Sequence, residues 1–235
     1  MTQYKRILLK LSGELLAGNG KPFDPESMAA VATAISGVVA EGVQVAIVVG
    51  GGNLLRGRDH VGDRSQAELD HVGMLATVMN VGLLRFHLED AGLNCSVYAP
   101  RPVFPVAETF ERKAAIADLE GGKVVLLGGG TGNPYFSTDS AAALRAIELD
   151  CDHVLKGTTV DGVYDKDPNK HDDAVRFDRI TPDEALQRGL QVMDQTAFAL
   201  CRDRSMPVVV FDLRVPQNLV GLIQGTVQGT VVSGD

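Results

Sequence analysis

Short aliphatic runs that do not alternate with polar residues, each ending at glycine or a turn, constrain this chain most. Tyr4–Leu11 leads into Ser12-Gly13, Val43–Val49 into Gly50-Gly51-Gly52-Asn53, and Lys123–Leu127 into Gly128-Gly129-Gly130-Thr131-Gly132. Asp152–Lys156 precedes Gly157-Thr158, and Pro207–Asp212 lies near the end. A strand that is apolar on both faces must be covered on both, which is the situation of a parallel sheet between helices. The intervening segments supply the helices. Pro25–Glu41 is rich in Ala and Val and closes at Gly42, a candidate left-handed cap. Leu69, Val72, Leu75, Val78, Met79, Leu83 and Phe86 recur at the spacing of one face of a long helix, Asp70–Gly92. Thr138–Leu149, Pro182–Arg188 and Met193–Arg204 read as three more. The fold class is therefore α/β, with ligands expected beyond the carboxyl ends of the strands, where the glycines lie. Thr159–Asp178 is polar and carries the turn dipeptides Asp161-Gly162 and Asp167-Pro168, which predicts a hairpin or small lobe.

At 235 residues the chain suits one domain or two closely packed lobes. Its 22 basic and 30 acidic residues give a net charge of −8, which argues against duplex nucleic acid or an anionic membrane as partner. A nucleotide is still compatible, because surface charges are screened beyond ~8 Å and the pocket decides. No secretory leader is read after Lys5-Arg6, and Val215–Gly234 is too diluted by Gln, Asn and Gly to span a membrane. Cys95, Cys151 and Cys201 are odd in number and form no CxxC pair, as expected of buried reduced thiols in a cytoplasmic protein. The five histidines show no ligand spacing.

The standard nucleotide fingerprints are absent. GxxxxGK[ST] does not occur, and neither GGGNLLRG nor GGGTGNP satisfies GxGxxG with a following helix. Glycine loops after strands are nonetheless what a polyphosphate needs, since residues without a Cβ let backbone N–H groups close on oxygens. Each loop by itself is equally a tight turn; three in one sheet favour a phosphate-handling cleft. Lys10 sits in an apolar strand, a costly place unless its ammonium reaches water or an anion at the open end. Arg56 follows GGGN and would enter the same cleft, or lie on the surface. Asp139 opens a helix and Asp70 lies beside Glu68 and His71, so a cap and a solvated face are the alternatives to functional roles. Asp161, Asp165 and Asp167 lack the rest of a Ca²⁺ loop and read as turn acids.

Six blocks together are specific: KLSGE (Lys10–Glu14), GGGNLLRG (Gly50–Gly57), DHVGMLATVMN (Asp70–Asn80), TGNPYFSTDSAA (Thr131–Ala142), LKGTTVDGVYDKDP (Leu155–Pro168) and VMD (Val192–Asp194). In that order, over nearly the whole chain, they resemble the bacterial uridylate kinases of the amino acid kinase family. The resemblance implies a three-layer αβα sandwich forming one domain over 1–235, with UMP bound by the part up to about residue 150 and ATP by the remainder. It implies the reaction ATP + UMP → ADP + UDP with Mg²⁺, a step of pyrimidine nucleotide biosynthesis, in a cytoplasmic homohexamer packed through the long helix. Position by position, Lys10, Leu11, Ser12 and Gly13 match the ATP-phosphate block, Gly51 the UMP side and Gly52 the ATP side of the loop between the phosphates, and Arg56 the phosphate-binding arginine. Asp70 matches the acid on the UMP ribose, and Thr131, Gly132, Asn133, Pro134, Tyr135, Phe136, Ser137 and Thr138 the loop on uracil and the UMP phosphate. Thr158, Tyr164 and Asp167 match the ATP nucleoside site, and Asp139 and Asp194 the acids near Lys10 that orient it or meet Mg²⁺ through water.

The nucleophile would be a UMP phosphate oxygen, already mostly dianionic because its second pKa is ~6, so no general base is required. The barrier is repulsion and misalignment of two polyanions, met by Lys10, Arg56, Mg²⁺ and the glycine amides. The resemblance also implies UTP as inhibitor, through the UMP pocket, and GTP as activator. Of three cationic positions associated with GTP, Arg85 keeps the first, whereas Glu89 and Ser96 occupy the others, which weakens the electrostatic case for GTP. A kinase of the same fold acting on a carboxylate or carbamate, and a non-catalytic nucleotide binder, are the alternative readings.

Overall fold

The computed structural model describes residues 4–55, 65–190 and 192–234. In chain order it contains β1 (Arg6–Leu11), a 3₁₀ turn (Gly13–Leu16), α1 (Pro25–Ala40), β2 (Gln44–Val49), α2 (Gln66–Asp90), β3 (Cys95–Ala99), β4 (Glu108–Thr109), α3 (Arg112–Glu120) and β5 (Val124–Leu127). There follow α4 (Thr138–Glu148), β6 (His153–Thr158), β7 (Arg179–Ile180), α5 (Pro182–Gln187), α6 (Gln195–Asp203), β8 (Val208–Asp212), α7 (Asn218–Gln224) and β9 (Thr230–Val232). All the strands join one sheet in the order β4-β3-β5-β2-β1-β6-β8-β9-β7. Its pairs are parallel except β8 with β9.

Both faces of the sheet are covered, as the unbroken aliphatic runs require. Ile7, Leu9 and Leu11 of β1 pack with Ile47 and Val49 against Ile35, Leu84 and Leu222 of α1, α2 and α7. Leu8, on the opposite face, packs with Val48, Val125 and Val154 against Leu119, Ala142 and Phe198 of α3, α4 and α6. Because side chains alternate along a strand, Lys10 shares the face of Leu8 and so lies in the α4 layer. β1 and β6 run side by side with Lys10 opposite Lys156.

Helix ends follow their sequence signals. Asp24 caps α1 by accepting from Ser27 N at 3.0 Å, and Gly42 adopts φ +81° just beyond its end. The long helix is present as α2, and the apolar residues spaced along it fall mostly on its outer face. α2 buries Ala76, Val78, Val81, Leu84 and Leu88, whereas Val72, Leu75, Met79 and Phe86 are each more than half exposed. An apolar repeat marks a helical face without saying what covers it, and this helix carries two such faces. The segment after β6 has the expected hairpin character, with Tyr164 bridged to Arg176 in antiparallel fashion. β3, β4, α3, β7, α7 and β9 have no counterpart in the sequence reading. No helix among the described residues is long and apolar enough to cross a membrane.

Candidate active site

The carboxyl ends of β1, β2, β5 and β6 meet above α4. Ser137 caps that helix, accepting from Asp139 N (3.0 Å) and Ser140 N (3.2 Å), so the Asp139 side chain is held in the first turn beside the sheet. Its two oxygens face two ammoniums: Lys10 Nζ at 3.2 Å and Lys156 Nζ at 2.7 Å. All three side chains are at least five-sixths buried. Burial pushes the Asp139 carboxyl up, but the Lys10 and Lys156 charges outweigh it and hold it below the ordinary carboxylate range. Burial pushes the Lys156 ammonium down, opposed by Asp139 and reinforced by Lys10. Lys156 also donates to Val192 O at 2.6 Å.

The glycine loops face this cluster. Gly50 N donates to Leu11 O at 2.9 Å, tying the loop after β2 to the end of β1. Asn80, fully buried on α2, donates to Gly50 O (2.6 Å), and its amide pairs reciprocally with that of Asn53 at 2.8 and 3.0 Å. The approach of the two loops explains Gly13. A Cβ there would stand 2.5 Å from Gly50 O and 2.4 Å from Asn53 Oδ1, closer than atoms tolerate. A Cβ on Gly52 would meet nothing within 4 Å. The loop after β5 turns through left-handed Gly129 and Gly130, and Gly129 N donates to Thr77 Oγ1 at 2.7 Å.

Three consecutive cavities line this edge. The first, about 290 Å³, is walled by Gly51, Gly52, Leu69, Asp70, Met74, Thr77, Gly130, Thr131, Phe136, Ser137 and Thr138. It thus gathers from three distant stretches most of the residues assigned to UMP. Asp70 accepts from Gln66 Nε2 and from Tyr135 N, both at 2.7 Å, which fastens the 131–138 loop to α2. Tyr135 is left-handed, at φ +70°, and its side chain is exposed. Gly132 turns instead to an apolar groove with Pro100 and Leu75, and Asn133 and Pro134 do not line the first cavity. The second cavity, about 500 Å³, is walled by Asp139, Lys156, Leu190, Met193, Asp194 and Phe198, among others. The third, about 570 Å³, contains Lys156 with Thr158, Tyr164 and Asp167, the residues assigned to the ATP nucleoside. Thr138 of the first cavity and Asp139 of the second are consecutive in α4, and the second and third cavities share Lys156 and Leu190.

Other assigned residues are held in ways that limit their roles. Leu11 is a fully buried core side chain, so only its backbone faces the cleft. Ser12 Oγ accepts from Glu14 N at 3.4 Å. Asp194 caps α6 through Thr196 N (2.9 Å) and Ala197 N (3.0 Å) and accepts from the hydroxyls of Ser140 and Ser137. It therefore joins α4 to α6, while Lys10 pairs with Asp139. Tyr164 OH donates to Asp161 Oδ1 at 2.6 Å, which raises the phenol above its usual range. Arg56 lies outside the described residues.

The donor set does not fit a resident metal. Among the described residues no three His, Cys, Asp or Glu side chains gather to hold one. Asp139 is taken up by two ammoniums and Asp194 by two amides and two hydroxyls. Asp161, Asp165 and Asp167 are turn acids, bonded respectively to Tyr164 and Arg176, to Val175 N and to Asn169 N.

Lys156 was missed in the sequence, although HVLKG carries the same signal as the segment around Lys10: a lysine inside an apolar strand that ends at a glycine. Asn80 and Thr77, which anchor the two glycine loops, also escaped notice because polar residues on a helix look solvated until their neighbours are known.

Comparison with known proteins is consistent with this geometry. Residues 5–212 match the Amino acid kinase family. A uridylate kinase of Chromohalobacter salexigens is 49% identical over 233 residues, covering 98% of this chain and 92% of that protein. The crystal structure of UMP kinase from Bacillus anthracis superimposes with a TM-score of 0.92 at 34% identity, over 99% of this chain and 97% of the other. UMP kinase from Ureaplasma parvum gives 0.92 at 32% identity, over 98% and 99%.

Proposed function

The chain belongs to the amino acid kinase family, and from its likeness to uridylate kinases over nearly its whole length we infer that it phosphorylates UMP with ATP, giving UDP and ADP. The observation that carries this reading is that the cavity of Asp70 and Thr138 and the cavity of Thr158 and Tyr164 flank the Asp139–Lys156 pair, Asp139 following Thr138 in α4 and Lys156 lining the latter cavity itself. It provides two nucleotide-sized recesses with a cationic join between them. UMP would occupy the first, its ribose hydroxyls on Asp70 and its base in the 131–138 loop. ATP would occupy the third, with its phosphates directed toward Ser12, Gly13, Gly52 and Lys10.

Transfer then needs alignment and charge rather than a base. A dianionic UMP phosphate oxygen attacks the γ-phosphorus in line and ADP departs. Lys10, held by Asp139, neutralises the transferring group. Gly51 and Gly52 offer amides between the phosphates, and Arg56 is assigned the loop guanidinium role. Asp194 positions the start of α4 through Ser137 and Ser140. Mg²⁺ belongs in this scheme to the substrate, as MgATP, because the protein's carboxylates are already engaged. The thiols of Cys95, Cys151 and Cys201 are unpaired, in keeping with work in the cytoplasm.

The same reading extends to assembly and control. The exposed stripe Val72, Leu75, Met79 and Phe86 supports self-association through α2, the expected contact of a homohexamer. UTP inhibits by entering the UMP cavity. GTP has little to bind at the expected place, since Glu89 pairs with Arg85 at 3.2 Å. ADP release from ATP, measured side by side with UMP, CMP, dTMP and aspartate and with or without GTP, tests the reading. UMP alone should support rapid turnover, unchanged by GTP. Turnover with aspartate and not UMP would assign the chain to another kinase of this fold, and no turnover would favour a binding protein.

A further inference from the structure

One buried hydroxyl fastens the hairpin after β6 to the edge of the sheet. Thr230, the first residue of β9, is wholly buried. Its Oγ1 accepts from Val163 N at 2.8 Å and donates to the Phe177 carbonyl, so it holds both arms of the hairpin at their base. A hydroxyl has a single proton to donate, and at this depth no water can replace it. The arms also bond to each other, Phe177 N to Val163 O at 2.8 Å and Asp165 N to Val175 O at 3.0 Å. Val163 and Phe177 pack in the cluster that contains Ile180 and Val232. That packing attaches the hairpin without fixing its register, because apolar contact is non-directional. The hydroxyl supplies the direction. Gly162 accommodates it: a Cβ there would stand 2.5 Å from Thr230 Oγ1, so only a residue without a side chain passes this close.

The hairpin in turn builds the third cavity. Residues 162–169 make half of its lining, Tyr164 and Asp167 among them. Val210, opposite Thr230 on β8, lines the same cavity, whereas Thr230 stands behind the wall. Side chains alternate along an extended chain, so a slip of one residue at Val163 would turn Tyr164 away from the cavity. We propose that Thr230 is a positioning residue for the ATP nucleoside, acting through Val163 and Phe177 to hold Tyr164 and Asp167 where the nucleotide meets them. The proposal rests on the reading above that this cavity takes ATP. It adds a residue that lies outside all six sequence blocks and reaches the site only through the backbone of the hairpin.

The test compares wild type with Thr230→Val, Thr230→Ser and Gly162→Ala, in steady-state kinetics and in calorimetric titration with ADP and with UMP. Thr230→Val keeps the shape but leaves a buried amide and a buried carbonyl unpaired, a loss of roughly 5- to 150-fold in the equilibrium that holds the hairpin. KM for ATP and Kd for ADP should each rise at least fivefold, with kcat at saturating ATP within threefold of wild type and Kd for UMP within twofold. Thr230→Ser retains the hydroxyl and should bring both values back to within twofold of wild type. Gly162→Ala, whose new methyl displaces the hydroxyl, should reproduce the valine effect and carries the test where Thr230→Val does not fold. A merely structural threonine would lower the melting temperature and leave the ratio of ADP to UMP affinity untouched. An unchanged ratio in a folded Val or Ala variant, or no recovery with serine, overturns the assignment. If wild type binds ADP yet forms no UDP, and the ratio still shifts on substitution, the anchor stands and the UMP kinase reading falls. A wild type that binds no ADP overturns both.

Discussion

Gly13 and Gly52 lie in facing loops, yet they should fail for different reasons when replaced by alanine. At Gly52 an added Cβ meets nothing within 4 Å, so Gly52→Ala should fold with stability within about 0.5 kcal/mol of wild type. In the proposed function that methyl would occupy the space in which a phosphate oxygen meets the backbone amide. Holding the oxygen off removes a hydrogen bond to a charged group, worth about 1.5–3 kcal/mol, or roughly a 10- to 150-fold loss in kcat/KM for ATP. At Gly13 the added carbon stands 2.5 Å from the Gly50 carbonyl and 2.4 Å from the Asn53 amide oxygen. Asn53 cannot swing away freely because it is paired with buried Asn80. The loops must part by about 1 Å, costing roughly 1–3 kcal/mol in stability as well as about 10²-fold in turnover. Thermal denaturation and steady-state kinetics on both variants separate the two cases. Wild-type kinetics for Gly52→Ala, or a large fall in its melting temperature, would refute the claim that this glycine exists for the substrate.

Asp70→Asn should raise KM for UMP about tenfold and leave kcat within threefold, because it would weaken the acceptor proposed for the ribose hydroxyls without touching the reacting atoms; an unchanged KM would remove Asp70 from the UMP site. Asp139→Asn leaves two buried ammoniums without their carboxylate and should cost about 3 kcal/mol at pH 7 by urea denaturation. Since the folded-state pKa of Asp139 lies below its ordinary 3.8, that contribution is complete above pH 3.8 and is lost as pH falls through the lowered value. The gap between variant and wild type should therefore close in acid, and a gap constant from pH 7 to pH 3 would contradict the ion-pair account. On α2, Leu84→Ala should cost about 2–5 kcal/mol, as Leu84 is wholly buried, whereas Leu75→Asp, at a half-exposed position, should leave the fold intact and reduce the assembly seen by analytical ultracentrifugation.

The sequence made the central sheet legible because a strand buried on both faces cannot hide its aliphatic run: β1, β2, β5, β6 and β8 all follow from it. β9 escaped because it is only three residues long, and α7 because Gly221 and Gln224 dilute its apolar face. For α2 the period was readable and the partner was not. Spacing alone cannot distinguish the side that covers β2 and β5 from the side carrying Val72 and Phe86. Asp139 was visible only as a helix-opening acid. That it serves two lysines emerged from the parallel register of β1 and β6, a pairing between residues 146 positions apart. The glycine loops were readable as turns at the carboxyl ends of the strands, whereas Asn80 and Thr77, which hold them in place, needed the packing of α2 to be seen.

Direct transfer requires two nucleotides to occupy neighbouring recesses of one chain at the same time. Titration with a bridged ligand, in which adenosine and uridine are joined through their 5′ oxygens by five phosphates, examines this directly. One molecule should bind per chain, more tightly than ATP or UMP alone, and should exclude both. A bridged ligand that displaces only one of them, or binds no better than ATP, would contradict the shared cleft.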